Sequence, residues 1–427
     1  MFIDRLMLFR YDPQSAAASL AAGNVYWTIA CLPVATVGFA NTLVAQRFGA
    51  NRPQEIGPII WQTFWMMVGC LPLFLMSILI ATPLFQWLGH SEELVVQEAR
   101  YFRILMTVPP ALMIEGGLFA FFAGRGRTGP VLAINICACL TNVLLDWLLI
   151  FGPGIFPELG VEGAAWATSL SMWLRTTLFA WAVWRVAPGE HFGVKNFRPQ
   201  RSVLRQLTVQ GTSLGLNQVI RSVVMSTFVI QIGRTGEQAL QATTVVLSWF
   251  QLAAMPLIGL GTATAILVGQ ATTGNRKTQL RITGSSIQLG LVYTISIGIL
   301  LTIFPSLVLS LFTDLDKTSS SLIEIFQRLA WFGAAYLILD AMNQVISGSL
   351  KGRSKVHIQL TAVLVATGLA ILPVLWFENF RSQASWIWGL LLCWSFIQTG
   401  IASSHLLLDS EQHENDQAEQ KTLSNAA

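Results

Sequence analysis

Asp146 is the single charged residue between Val131 and Phe156, a run otherwise built from apolar and small side chains. A carboxylate set among such neighbours has been placed at a cost, and the residues around it suggest what it is for. Asn142 lies four positions earlier, one helical turn away on the same face, so an amide oxygen and a carboxylate converge on one point. Thr168 offers a hydroxyl from the following apolar run, whose opening Gly163-Ala164-Ala165 permits a close approach. Asp4, in the short apolar stretch at the N-terminus, offers a second carboxylate. Carboxylate, amide and hydroxyl oxygens together suit a hard monovalent cation, and the same desolvated pocket suits a proton instead. A polar cluster that merely packs helices is the bland alternative.

Three more charges interrupt apolar runs. Arg221 is the lone charge between Leu207 and Gly233, and Asp340 lies deep between Leu322 and Leu350. Arg221 is expected either to pair with Asp340, cancelling the cost of both, or to snorkel elsewhere. Glu115, followed by Gly116-Gly117, reads as a cavity residue or as a near-interface one.

Other motifs mislead. Gly124-Arg125-Gly126-Arg127-Thr128-Gly129 has the letters of a dinucleotide fingerprint, but that motif requires a preceding strand and a βαβ unit. Here it joins two apolar helices and reads as a tight turn. Gly211-Thr212-Ser213-Leu214-Gly215 has the letters of a nucleophile elbow, without strand or nearby histidine. It reads as a GxxxG surface for close helix packing. The five cysteines lack metal or redox spacing and the five histidines are scattered, so neither a metal cluster nor a catalytic set is expected.

The elements that carry these residues follow from composition. Charged residues are 11% of the 427, against about 25% in soluble globular chains. With 53% hydrophobic residues, the outer surface must meet something apolar, so an all-α integral membrane protein is expected. A net charge of +4 is too small to indicate nucleic acid. Eleven runs are long enough to span a bilayer: Ser15–Gln46, Ile59–Phe85, Tyr101–Ala123, Val131–Phe156, Gly163–Val186, Leu207–Gly233, Ala239–Gln270, Ile282–Phe312, Leu322–Leu350, Val356–Phe377 and Trp386–Leu408. Met1–Phe9 is too short to cross and reads as the second half of a truncated first span, whose beginning lies outside this chain. Connections alternate in charge. One set carries fifteen Lys and Arg, including Arg47, Arg125, Arg201, Arg276 and Lys351. The other carries seven, including Arg100, Lys317 and Arg381, mixed with Asp314 and Asp316. The basic set is expected in the cytoplasm, together with the C-terminal tail.

The chain also repeats itself. Gln46 and Gln270 are 224 residues apart, as are Asn51-Arg52 and Asn275-Arg276, while Glu115 and Asp340 are 225 apart. Two related halves are therefore expected: residues 1–187, a basic linker 188–200, residues 201–408, and a polar, disordered tail 409–427. Six spans per half give parallel repeats about an axis along the membrane normal, an arrangement suited to a transporter that rocks two lobes about a central cavity.

The residues that carry this pattern resemble one family, the multidrug and toxic compound extrusion (MATE) transporters. The likeness runs through Asp4-Arg5-Leu6, Val44-Ala45-Gln46, Asn142 with Leu145-Asp146, Gly160-Val161-Glu162-Gly163-Ala164-Ala165 with Thr168, Val268-Gly269-Gln270, Asp340, and Gly348-Ser349-Leu350-Lys351-Gly352. The resemblance implies a twelve-helix, two-lobe antiporter that exports organic cations against inward Na⁺ or H⁺. It carries the N-lobe cation site onto Asp4, Asn142, Asp146 and Thr168, and the C-lobe acid onto Asp340. Arg221 stands where the family often has an acid, which favours the N-lobe as the coupling centre. Glu115, Gln46 and Gln270 are further cavity candidates. The expectation is thus a monomeric inner-membrane antiporter for small organic cations, with the lipid bilayer as its surroundings, no nucleic-acid partner and no cofactor beyond the coupling ion. Two rivals are weaker. A lipid or lipid-linked flippase of related architecture would want a basic cavity, and an intramembrane enzyme would need a nucleophile–base or metal set.

Overall fold

The computed structural model describes residues 2–89, 91–155, 157–186, 192–271, 276–304, 320–376 and 383–426. Asn275, Asp314, Asp316, Lys317 and Arg381, named above, lie outside the described residues, as does the start of the linker. Among the described residues the regular elements are all helical. In the first half they are α1 (Phe2–Tyr11), α2 (Pro13–Val37), α3 (Ala40–Gly49), α4 (Ile56–Leu79), α5 (Ala81–Trp87), α6 (Glu92–Leu105), α7 (Val108–Ala123), α8 (Thr128–Phe151) and α9 (Gly160–Val186). Then come α10 (Arg201–Thr235), α11 (Glu237–Gln270), α12 (Arg276–Ile303), α13 (Ser320–Gly352), α14 (Val356–Trp376) and α15 (Ala384–Ala426). Nine described stretches are long and apolar enough to cross a membrane, and Val356–Ala370 forms a shorter apolar helix. The protein is an all-α, multi-pass membrane protein. Its outward faces agree: Trp87, Leu79, Met76 and Leu140 project more than half exposed, a composition suited to lipid rather than water.

Local sequence explains where the helices start and break. Asp12 caps α2 by accepting from the Ser15 amide at 2.8 Å and the Gln14 amide at 3.2 Å, and it takes the Ser15 hydroxyl at 2.7 Å. These donors hold the Asp12 carboxyl below its usual range, the Ser15 hydroxyl contributing most. Pro33 removes one amide donor from α2, and the chain turns at Gly38-Phe39 before resuming as α3. Pro109-Pro110 likewise start α7 afresh after α6. At the 224-residue offset those prolines become Gly333-Ala334, and α13 runs unbroken for 33 residues. α15 continues through the tail that composition reads as disordered, since neither Gly nor Pro interrupts 401–426.

The contacts divide the chain into two compact units, Met1–Gln218 and Val219–Ala427, with the division inside α10. Residues 201–218, assigned above to the second half, therefore cluster with the first. The first unit has a core of Leu8, Tyr26, Phe74, Phe85 and Phe102. The second is built on Phe228, Tyr336, Trp388 and Trp394. Within the first unit, residues 192–200 are tied down along their length. The Trp61 and Trp65 indoles donate to the carbonyls of Val194 (2.7 Å) and Phe197 (2.8 Å). Gln62 donates to the Arg198 carbonyl and accepts from the Gln200 amide at 2.9 Å. Arg125 lies between two rings, 3.9 Å from Phe121 and 4.3 Å from Phe192. The tight turn between α7 and α8 thus also buries a guanidinium in an aromatic clamp.

Candidate functional site

Three helices assemble the acidic cluster of the first unit. α1 packs against α2, α8 and α9, with Leu8 fully buried and Tyr11 edge-on to Phe151 at 6.1 Å. That anchoring turns Asp4 inward, where it is 1% exposed. α9 lies so close to α8 that a Cβ on Gly163 would run into the Leu149 carbonyl. The close approach brings Thr168 to Asp4, whose Oδ2 accepts the Thr168 hydroxyl at 2.8 Å. Asp146, on α8, is fully buried, and neither carboxylate oxygen has a hydrogen-bond donor among the described residues. The acidic side chain within electrostatic reach of it is Asp4. Asn142, one turn below, is half-buried, with its Nδ2 enclosed and similarly without an acceptor. The structure therefore places all four sequence-derived residues on three mutually packed helices. It directly joins Asp4 to Thr168 and sets Asp146 beside Asp4 with no compensating donor.

The other buried acids are arranged differently. Asp340, 2% exposed in its side chain, receives Arg221 Nη2 at 2.8 Å, and the Gln344 amide approaches its second oxygen at 3.5 Å. Of the two outcomes open from sequence, pairing is the one observed. Glu115 is also paired. Arg175, on α9, places Nε 2.8 Å and Nη2 2.6 Å from one of its oxygens. Sequence reasoning missed Arg175, although it interrupts the apolar run from Gly163 to Val186 by the same rule that singled out Asp146. Gln46 lies in the last turn of α3 and Gln270 closes α11, at the positions of the repeat match.

A charge-poor chain, all-helical among the described residues, with buried acids of which Glu115 and Asp340 are arginine-capped, invites comparison with known proteins. The family model described as MatE matches residues 1–148 and 213–376. The chain belongs to the MatE family. The match falls in two blocks, one in each half of the sequence repeat. Among curated proteins, the chain is 25% identical over 402 residues to a probable multidrug resistance protein NorM of Xylella fastidiosa (strain 9a5c), covering 92% of this chain and 84% of that one. It is 24% identical over 380 residues to the multidrug resistance protein PmpM of Pseudomonas aeruginosa, covering 87% and 78%. Among solved structures, a MATE in the bent conformation superposes with a TM-score of 0.82 at 18% identity, over 98% of this chain and 92% of that one. MatE family membership makes the protein a membrane transporter and not an enzyme.

Proposed function

We propose that this protein exports small organic cations and other xenobiotics across the inner membrane by alternating access, driven by inward movement of Na⁺ or H⁺. The observation that carries the reading is Asp146: a buried carboxylate with no donor of its own, set beside a second acid. An uncompensated negative charge at bilayer depth is costly, and a proton or a monovalent cation removes that cost. The names of the NorM and PmpM relatives support multidrug substrates.

In this cycle the ion neutralises the Asp4–Asp146 cluster while the cavity is open outward, and substrate leaves. After reorientation the ion departs inward, and the re-exposed negative charge attracts a cationic, apolar substrate. Thr168 holds the Asp4 carboxylate in place throughout. Each charge moved down ~100 mV supplies ~2.3 kcal/mol, enough for roughly fifty-fold accumulation. Glu115 and Asp340 have arginine partners and so do not need the ion. The basic connections, linker and C-terminus lie on the cytoplasmic side in this reading, and the chain works as a monomer.

The test uses purified protein in liposomes with ethidium as the cationic probe. Ethidium should move only when a pH or Na⁺ gradient is imposed, and applying each gradient alone identifies the ion. Asp146→Asn should retain folding and lose gradient-driven transport altogether. Unchanged transport in that variant would remove the coupling assignment.

A further inference from the structure

Arg175 stands at the end of a polar line that starts at the acidic cluster and runs along one face of α9. Thr168, 2% exposed, donates to Asp4 at 2.8 Å. Ser171, three residues on and 1% exposed, donates its hydroxyl to the Thr168 carbonyl at 2.9 Å. Arg175 follows one turn later, about 10 Å along the helix from Thr168, towards the end of α9 that the proposed topology puts in the cytoplasm. It holds Glu115, from α7, at 2.6 Å. There the polar line stops. Phe179, the next turn on and fully buried, meets Phe119 and Phe122 with ring centroids 6.4 and 6.3 Å away. α2 and α4, both packed on α7, carry no charged residue. The charged group within electrostatic reach of Glu115 is Arg175. The pair is also less sealed than the cluster: its side chains are 11% and 20% exposed, whereas Asp4 and Asp146 are 1% and 0% exposed.

A carboxylate at the end of a hydroxyl-lined face is the next resting place for a proton or Na⁺ that leaves Asp146. A guanidinium already bound to it through Nε and Nη2 takes that place away. We propose that Arg175 keeps ion movement tied to substrate. As the fixed counter-ion of Glu115, it denies the coupling ion an onward acceptor inside the first unit, so the ion leaves only when the transporter reorients. Arg175 acts through Glu115 and is a positioning residue. The inference rests on the efflux reading and deepens it, since it concerns the regulation of the same ion site.

The experiment measures ion entry with no substrate present. The purified full chain is placed in liposomes, and a potassium diffusion potential drives cations inward. Trapped pyranine reports H⁺ and a trapped sodium-sensitive dye reports Na⁺. Wild-type protein should stay tight. Arg175→Gln leaves Glu115 without its partner and should admit the ion about tenfold faster, the worth of one charge-assisted hydrogen bond. Adding Glu115→Gln should return entry to the wild-type level. Adding Asp146→Asn instead should do the same, because the path begins at that acid. A packing defect would leak through both second substitutions. Glu115→Asp keeps both charges and draws the carboxylate back by one methylene, so it should leak roughly threefold. That variant decides the matter if Arg175→Gln does not reconstitute. A tight Arg175→Gln protein, a tight Glu115→Asp protein where it stands in, or a leak that persists in either double variant would overturn the proposal. Failure of the efflux reading shows elsewhere, as ethidium transport that ignores Asp146→Asn while Arg175 is in place.

Discussion

The two halves of this chain share a scaffold and differ in where they carry charge. The matching stretches of the second half, around Phe228, Ala366 to Ala370 and Leu392, carry no Asp or Glu. Phe228 and Ala366 are buried in the apolar core of the second unit, and Ala370 and Leu392 pack against it. The positions that form an acidic cluster in one half are therefore oil in the other. The acid that does repeat, Glu115 and Asp340, draws its arginine from α9 in the first half and from α10 in the second. Duplication supplied the helices and their close crossings, including the approach of α13 to α11 that leaves no room for a side chain on Gly348 beside the Gly261 carbonyl. The buried charges of the halves differ: among the described residues the first half carries an acidic cluster and an ion pair, and the second an ion pair.

Breaking the ion pair of the second half should have the largest effect on stability. Arg221→Gln strands a carboxylate that is 2% exposed, at a cost of about 2.5–3.5 kcal/mol in the membrane interior. The purified protein should melt markedly earlier, and adding Asp340→Asn should restore most of the loss. No recovery in the double variant would show that the pair is not the unit drawn here. Moving the acid across the repeat is the next test. Ala370→Asp should lower stability by a similar ~2.5–3.5 kcal/mol and should not revive transport in Asp146→Asn, because the second half lacks the Thr168 and Asp4 counterparts. Revived transport would mean that the two halves are interchangeable.

Smaller effects sharpen the first half. Thr168→Val removes one hydrogen bond to Asp4, worth about 1 kcal/mol. The coupling-ion concentration for half-maximal transport should rise several-fold, with the maximal rate nearly kept. The smallest effect concerns the α2 cap. The Asp12 carboxyl sits below its unfolded value, so its contribution is present above the unfolded pKa and fades as pH drops through the folded one. Asp12→Ala should melt slightly earlier than wild type at neutral and mildly acidic pH alike, and the gap should close only in buffer more acidic than the unfolded carboxyl's pKa of 3.8.

Much of this was readable from sequence. Asp146, Asn142 and Thr168 stood out because a charge in an apolar run is rare and helical spacing fixes its neighbours. Pairing of Arg221 with Asp340 was legible as one of two outcomes, since each needed a partner. Arg175 carried the same signal and was passed over. The tethering of residues 192–200 had no signal at all, because indoles and an amide that grip backbone atoms leave no pattern at either end. The prolines at 33, 109 and 110 marked where the helices of the first half would break, although the length of the apolar runs concealed it.

That gripped segment behaves as upholstery nailed to its frame rather than as a cord between two bodies. Inserting a flexible tag or protease sequence within residues 192–200 would therefore damage the first unit itself, pulling Phe192 off Arg125 and the carbonyls off Trp61 and Trp65. Splitting the gene into two co-expressed fragments at that point would cut through a seam the protein keeps closed.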